Sequence, residues 1–270
     1  MLNYNFYDSQ NQTSDKLLVL LHGFISDATS FRSHIDQLTK AAAVVTIELP
    51  GHGQDQSDRT KQWDFDFICD ALDEVLVQFK DNQIYLHGYS MGGRAALYYA
   101  LNGQVALSGL ILESASPGIS DEAAKLERQQ VDEARAKVLE IAGIEVFVND
   151  WEKLPLFASQ AEMMTKAQRQ QHRAMRLAQD PIGLAKALRD YGTGHMPNLW
   201  PELTKLQVPV CMIVGEYDEK FVELAQKMDQ YIPNSEVYVV TGAGHTVHVE
   251  EASQFDILLL GFLNKEEQND

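Results

Sequence analysis

Residues 84–94 read Ile-Tyr-Leu-His-Gly-Tyr-Ser-Met-Gly-Gly-Arg. A short apolar run rich in β-forming residues meets a Gly-x-Ser-x-Gly pentapeptide, Gly88 to Gly92, and a helix-forming stretch, residues 94–101, follows at once. Strand, sharp turn and helix in that order are the setting of a nucleophile elbow, which lifts a serine hydroxyl clear of the end of a sheet. The turn strains the backbone at Ser90, and the flanking glycines leave room that side chains would fill. A reactive serine at the carboxyl end of a central strand is the first expectation.

The same pattern extends on both sides. Lys16–Leu21 is a near-continuous apolar run ending at His22-Gly23, as a strand buried on both faces requires. Residues 29–40 have helical spacing, Ala43–Ile47 reads as a second buried strand, and residues 65–79 form an amphipathic helix. Gln83–Tyr89 is the strand feeding the serine, residues 95–101 the helix leaving it, and residues 107–112 another strand. From about residue 121 to 200 no strand pattern is present and the segment reads as several helices. Alternation resumes with a strand at 208–214, a helix at 221–231, a strand at 236–240 and a last helix at 249–264. This order predicts an α/β fold with a mostly parallel central sheet and helices on both faces. Residues 1–118 and 201–270 form the core domain, and residues 119–200 a helical cap inserted after the sixth strand, over the strand ends where such sheets bind ligands.

Bulk properties narrow the function. The 270 residues suffice for one full α/β core, and no apolar run approaches the roughly 18 residues of a membrane span. The N-terminus has neither a basic n-region nor a long apolar segment, and Cys69 and Cys211 lie far apart in apolar stretches, so a cytoplasmic protein with free thiols is expected. A net charge of −17 argues against nucleic acid or an anionic membrane surface as partner. Six of the nine arginines nevertheless fall in residues 119–200, where eleven basic side chains face twelve acidic ones; elsewhere the figures are eleven and twenty-seven.

Two further residues complete a catalytic set. The strand at 208–214 runs into Gly215-Glu216-Tyr217-Asp218, and the next strand into Thr241-Gly242-Ala243-Gly244-His245. Ser90, Asp218 and His245 thus follow the chain order nucleophile, acid, histidine of α/β-hydrolase folds, all at strand ends on one sheet edge. A serine hydroxyl needs an imidazole to take its proton, and the imidazole needs a carboxylate to fix its tautomer. Glu216 and His248 are the competing acid and histidine; Asp218, deeper in its loop, and His245, directly after Gly-Ala-Gly, are favoured. The backbone N–H groups of Met91 and Phe24 are the candidate oxyanion hole. His22 and His52 read as loop braces, and no cluster has metal-ligand spacing.

Leu21-His22-Gly23-Phe24, Glu48-Leu49-Pro50-Gly51-His52-Gly53, Gly88 to Arg94, Glu113 to Gly118, Asp150-Trp151 with Pro155 to Ser159, and Gly215 to Phe221 resemble the α/β-hydrolase-fold lyases of menaquinone (vitamin K2) biosynthesis, the 2-succinyl-6-hydroxy-2,4-cyclohexadiene-1-carboxylate synthases. The resemblance runs from about residue 17 to 260, and its most specific parts are Arg94, the Trp-to-Phe-Ala-Ser run and the Asp-x-Lys-Phe after the acid. It implies elimination of pyruvate from 2-succinyl-5-enolpyruvyl-6-hydroxy-3-cyclohexene-1-carboxylate, a tricarboxylate, with no cofactor, by a monomer or weak homodimer. It also implies Tyr89, Arg94, Arg128, Trp151 and Arg176 as substrate-binding residues, with Arg173 as the alternative to Arg176. Arginine forks match carboxylates, so this substrate accounts for the local arginine enrichment of an acidic chain. Ser90 then acts as a base rather than an acyl acceptor. The competing expectations are a carboxylesterase or carbon–carbon bond hydrolase on the same triad, and a non-enzymatic binding protein.

Overall fold

Apolar runs without polar alternation are satisfied only as strands covered on both faces, and the sheet is assembled from such runs. The computed structural model describes residues 1–265. Its strands are β1 (Tyr4–Tyr7), β2 (Lys16–Leu21), β3 (Ala43–Ile47), β4 (Gln83–Tyr89), β5 (Gly109–Glu113), β6 (Val210–Gly215) and β7 (Ser235–Val240), in the spatial order β1-β3-β2-β4-β5-β6-β7. Every residue of β2, β3, β5 and β6 is buried, whereas the edge strands β1 and β7 are only partly covered. All pairings are parallel except β1 with β3, where Tyr4 faces Ile47.

The helices are α1 (Ile35–Leu38), α2 (Phe65–Leu76), α3 (Met91–Asn102), α4 (Glu122–Trp151), α5 (Gln160–Met163), α6 (Lys166–Leu177), α7 (Pro181–Tyr191), α8 (Glu219–Asp229), α9 (Val247–Glu250) and α10 (Ala252–Leu263). One face of the sheet packs on α2, α3 and α8 through residues such as Leu72, Val75, Leu97 and Ala225. The other face packs on α1 and α10 through Leu38, Leu259 and Leu263. Between β5 and β6 the chain is helical, and a third apolar cluster joins α4 to α7 through Ala136, Leu139, Phe147, Leu184 and Leu188. Ile25, from the loop after β2, is buried in that same cluster. None of the helices among the described residues is long and apolar enough to cross a membrane.

Three expectations need correction. The helical segment follows the fifth strand, not the sixth, because a single short strand, β1, precedes the parallel set. With only four half-exposed residues, β1 has no continuous apolar run to announce it. The helix expected over 29–40 is two separate turns, a 3₁₀ turn at Ala28–Phe31 capped by Asp27 and then α1. The helix expected over 249–264 breaks at Glu251 (φ −133°, ψ 56°), because the Glu250 carboxylate folds back onto the preceding loop.

Just past β3, the carboxylate of Glu48 turns inward and accepts the Ala28 N–H at 3.2 Å. Burial, then the nearby charge of Asp27, pushes its pKa up from 4.5 to about 7. With the folded value raised, its stabilising contribution is full below the unfolded value and is lost as pH rises through the folded one. Thermal melts of Glu48→Gln, which cannot ionise, should gain on wild type as pH rises from about 4.5 to about 8, by up to about 3 kcal/mol. Identical pH profiles for the two proteins would contradict this.

Candidate active site

The elbow is built by close backbone approach. A Cβ on Gly88 would lie 2.3 Å from the Gly92 carbonyl oxygen, and one on Gly92 would lie 2.5 Å from that of His22. Ser90 adopts φ 51° and ψ −103°, and its N–H donates to the Glu113 carbonyl at 2.8 Å, tying the turn to β5. Ile25 (φ 55°) and Ser114 (φ 47°) are the other non-glycine residues with positive φ among those described. They follow β2 and β5, the strands flanking β4, so backbone strain is concentrated around one sheet edge.

Ser90, His245 and Asp218 form one hydrogen-bonded line. His245 Nε2 lies 3.0 Å from Ser90 Oγ, and His245 Nδ1 lies 2.6 Å from Asp218 Oδ2. With Nδ1–H donated to the carboxylate, Nε2 is left to accept the serine proton. Asp218 and His245 are buried, with the imidazole against Phe221 (ring centroids 4.7 Å) and Tyr89 (5.5 Å). Glu216 is exposed and accepts the Gly242 N–H at 3.2 Å, away from the histidine. His248 lies beneath Tyr89 and pairs with Glu113 at 2.8 Å. Burial opposes ionisation of Glu113, but His248 and His87 beside it hold its carboxyl well below the usual range.

Two further residues position the machinery: Glu250, which the sequence reading misses, and His22, which it takes as a loop brace. Glu250 accepts the N–H of Gly244 at 2.9 Å and of Thr246 at 3.1 Å, clamping both neighbours of His245. His22 is fully buried, and burial lowers its pKa, keeping the ring neutral. Its Nδ1 lies 2.8 Å from the Gly23 carbonyl and its Nε2 accepts the Leu49 N–H at 3.1 Å. The Gly23 carbonyl and the Phe24 N–H share one planar peptide, so this contact also orients the N–H. The backbone N–H groups of Phe24 and Met91 meet no acceptor among the described residues, and both residues line the cavity over Ser90.

That cavity encloses about 410 Å³. Ser90, Tyr89 and His245 form its floor and Arg94, Arg128, Trp151 and Phe157 part of its walls. Arg94 is buried, offering one N–H to the Tyr191 carbonyl at 3.4 Å; burial, then Arg128, lowers its pKa to about 10, still cationic at neutral pH. Arg128 Nε donates to buried Asp132 at 2.9 Å. Tyr89 Oη pairs with Thr246 Oγ1 at 2.8 Å, and burial pushes its phenol pKa up. Arg176 is not on the cavity wall. It lies behind Phe157, 5.4 Å from that ring, paired with Glu152 at 3.2 Å and Gln160 at 3.4 Å. Arg173 is drawn outward to Glu152 and Asn149. Arg135, not selected from the sequence, does line the cavity; the seven-residue spacing from Arg128, two helical turns, is the signal that could have found it. Among the described residues, no group of three or more His, Cys, Asp or Glu could hold a metal ion.

Comparison with known proteins agrees with this architecture. The α/β-hydrolase-fold family profile matches residues 16–252. The putative 2-succinyl-6-hydroxy-2,4-cyclohexadiene-1-carboxylate synthase of Bacillus subtilis (strain 168) is 35% identical over 94% of this chain and 92% of its own length. The 2-succinyl-6-hydroxy-2,4-cyclohexadiene-1-carboxylate synthase of Photorhabdus laumondii subsp. laumondii is 31% identical over 94% of this chain and 88% of its own. The solved structure of MenH from S. aureus is 55% identical, covers 99% of this chain and 100% of that one, and superposes with a TM-score of 0.96.

Proposed function

The chain belongs to the α/β-hydrolase family and, within it, to the 2-succinyl-6-hydroxy-2,4-cyclohexadiene-1-carboxylate synthases, and from that premise we propose that Ser90, His245 and Asp218 drive its reaction by proton abstraction. The enzyme is a lyase of menaquinone biosynthesis that releases pyruvate from its enolpyruvyl-cyclohexene substrate and leaves a conjugated cyclohexadiene. The observation that carries the mechanistic reading is a single cavity holding a His-paired serine together with unsaturated guanidinium groups.

Ser90 Oγ takes the ring proton next to the succinyl ketone as His245 Nε2 takes the hydroxyl proton. Asp218 stabilises the imidazolium that forms. Negative charge gathers on the ketone oxygen, where the Phe24 and Met91 N–H groups receive it; one preorganised donor of this kind is worth about 3 kcal/mol. The enolate electrons then move through the ring alkene and break the carbon–oxygen bond to enolpyruvate. The leaving group takes up a proton to become pyruvate, so neither water nor a cofactor is consumed. Arg94 and Arg128 grip carboxylates of the substrate, Tyr89 and Trp151 shape the space around its ring, and Arg176 contributes at one remove. It holds Gln160, whose Nε2 donates to Thr246 at 3.0 Å, and Thr246 in turn holds Tyr89. On this proposal the protein acts on a small tricarboxylate in the cytoplasm, as a monomer or weak homodimer.

The test is a coupled assay that supplies the enolpyruvyl substrate and follows pyruvate together with diene absorbance. Brisk p-nitrophenyl ester hydrolysis without pyruvate release would favour a hydrolase instead. In the same assay, Glu250→Ala should lower kcat by about tenfold with little change in KM, because His245 loses its two flanking clamps while the anion-binding wall is untouched. A rise confined to KM would contradict that assignment.

A further inference from the structure

Arg128, Asp132 and Arg135 lie on one face of α4, spaced by four and three residues. Asp132 is fully buried and already used: Oδ1 accepts Arg128 Nε at 2.9 Å, and Oδ2 accepts the Gly194 N–H at 3.1 Å. Arg135 comes only to 4.0 Å of the same Oδ1, and no hydrogen bond fixes its guanidinium among the described residues. With Arg94, three guanidinium groups therefore meet on the cavity wall against a single carboxylate. Among the described residues most of their N–H donors have no acceptor, and a polyanion in the cavity would supply one.

Arg135 is also held in place by something other than a counter-charge. Its guanidinium carbon lies 5.2 Å from the centre of the Trp151 ring. In a straight helix the two residues would be separated by about 24 Å along the axis. They meet because α4 is interrupted at Gly143 (φ 81°, ψ 177°), a backbone state open to glycine that folds the second part of the helix back. The ring face fixes the plane of the guanidinium and leaves its N–H edge free.

We propose that Arg135, carried on the Trp151 ring and only loosely paired with Asp132 at 4.0 Å, is a carboxylate-binding residue of this enzyme, completing a set with Arg94 and Arg128. The proposal rests on the tricarboxylate reading above and supplies a third cation for the third carboxylate. It also gives Trp151 a definite task, as the platform that orients Arg135.

The test pairs turnover with direct binding. Arg135→Ala and Arg135→Lys are compared with wild type for pyruvate release and, by calorimetry, for binding of citrate as a tricarboxylate probe. The alanine variant should lose about ten- to hundredfold in kcat/KM, most of it in KM, with a parallel loss of citrate affinity. The lysine variant should recover only part of both, since it keeps the charge without the fork. Melting temperatures should stay near wild type, because no hydrogen bond is removed. An alanine variant within about twofold of wild type in both readouts overturns the proposal. Wild-type protein that binds citrate through Arg135 but releases no pyruvate overturns the functional reading alone, and one that does neither overturns both.

Discussion

Replacing Ser90 with alanine is expected to slow pyruvate release by about 10⁴-fold while leaving substrate affinity within a few-fold of wild type. The first half follows from the line of hydrogen bonds. Without Oγ, His245 Nε2 stands 3.0 Å from the former hydroxyl position and has no group through which to reach the substrate proton. The second half follows from the cavity, whose cationic wall is made by the side chains of Arg94, Arg128 and Arg135 and does not use the serine hydroxyl. Folding should not suffer, because Ser90 contributes its backbone N–H to Glu113, and alanine keeps that bond. Rate and affinity must be measured separately, by pyruvate release and by calorimetry. An acyl-serine trapped during turnover of the native protein would refute the base mechanism, as would an alanine variant with appreciable turnover.

Asp218→Asn should cost about a thousandfold or more in kcat, again with little change in binding. The carboxylate accepts from His245 Nδ1 at 2.6 Å. An amide at that position can present its NH₂ to the ring, which reverses the tautomer, puts the proton on Nε2 and leaves nothing to accept from Ser90. Asp218 begins α8 without a side-chain capping bond, so the substitution takes little from the fold. The comparison with Glu216→Gln separates the two acids. Among the described residues the Glu216 side chain accepts one hydrogen bond, from the Gly242 N–H at 3.2 Å, and its replacement should leave kcat nearly unchanged. A larger loss from Glu216→Gln than from Asp218→Asn would reverse their roles.

The parts of this protein that could be read from its sequence are those where local pattern and tertiary environment agree. β2 to β6 are buried on both faces and therefore spell themselves out as apolar runs, and the elbow needs glycines at fixed offsets from the serine. Asp218 and His245 follow their strands directly, so placing the strands placed the residues. Legibility fails where side-chain direction is decided by distant partners. Arg176 is turned by Glu152 and Gln160, and neither lies near it in sequence. Arg135 shares the cavity-facing side of α4 with Arg128, but the Trp151 ring that carries it comes within reach only because the helix breaks at Gly143, which no periodicity announces. Glu250 was hidden for a different reason: a glutamate in a helix-like stretch gives no sign that its carboxylate returns to two loop amides.

Phe24 and Ile25 belong to the loop that carries one of the proposed oxyanion donors, yet their side chains pack upward, Phe24 against Trp151 at 5.2 Å and Ile25 into the cluster between α4 and α7. The helical segment and the loop after β2 are therefore joined through one apolar cluster, even though the chain brings them in separately. An exchange of this insert for one from another hydrolase would transplant more than a specificity lid. It would remove the packing that holds Ile25 at φ 55°, and the oxyanion donor would relax with it. Substitutions in the helical segment that reshape the cavity but keep the seat of Ile25 leave the reactive edge of the sheet as it is, and those that empty that seat do not.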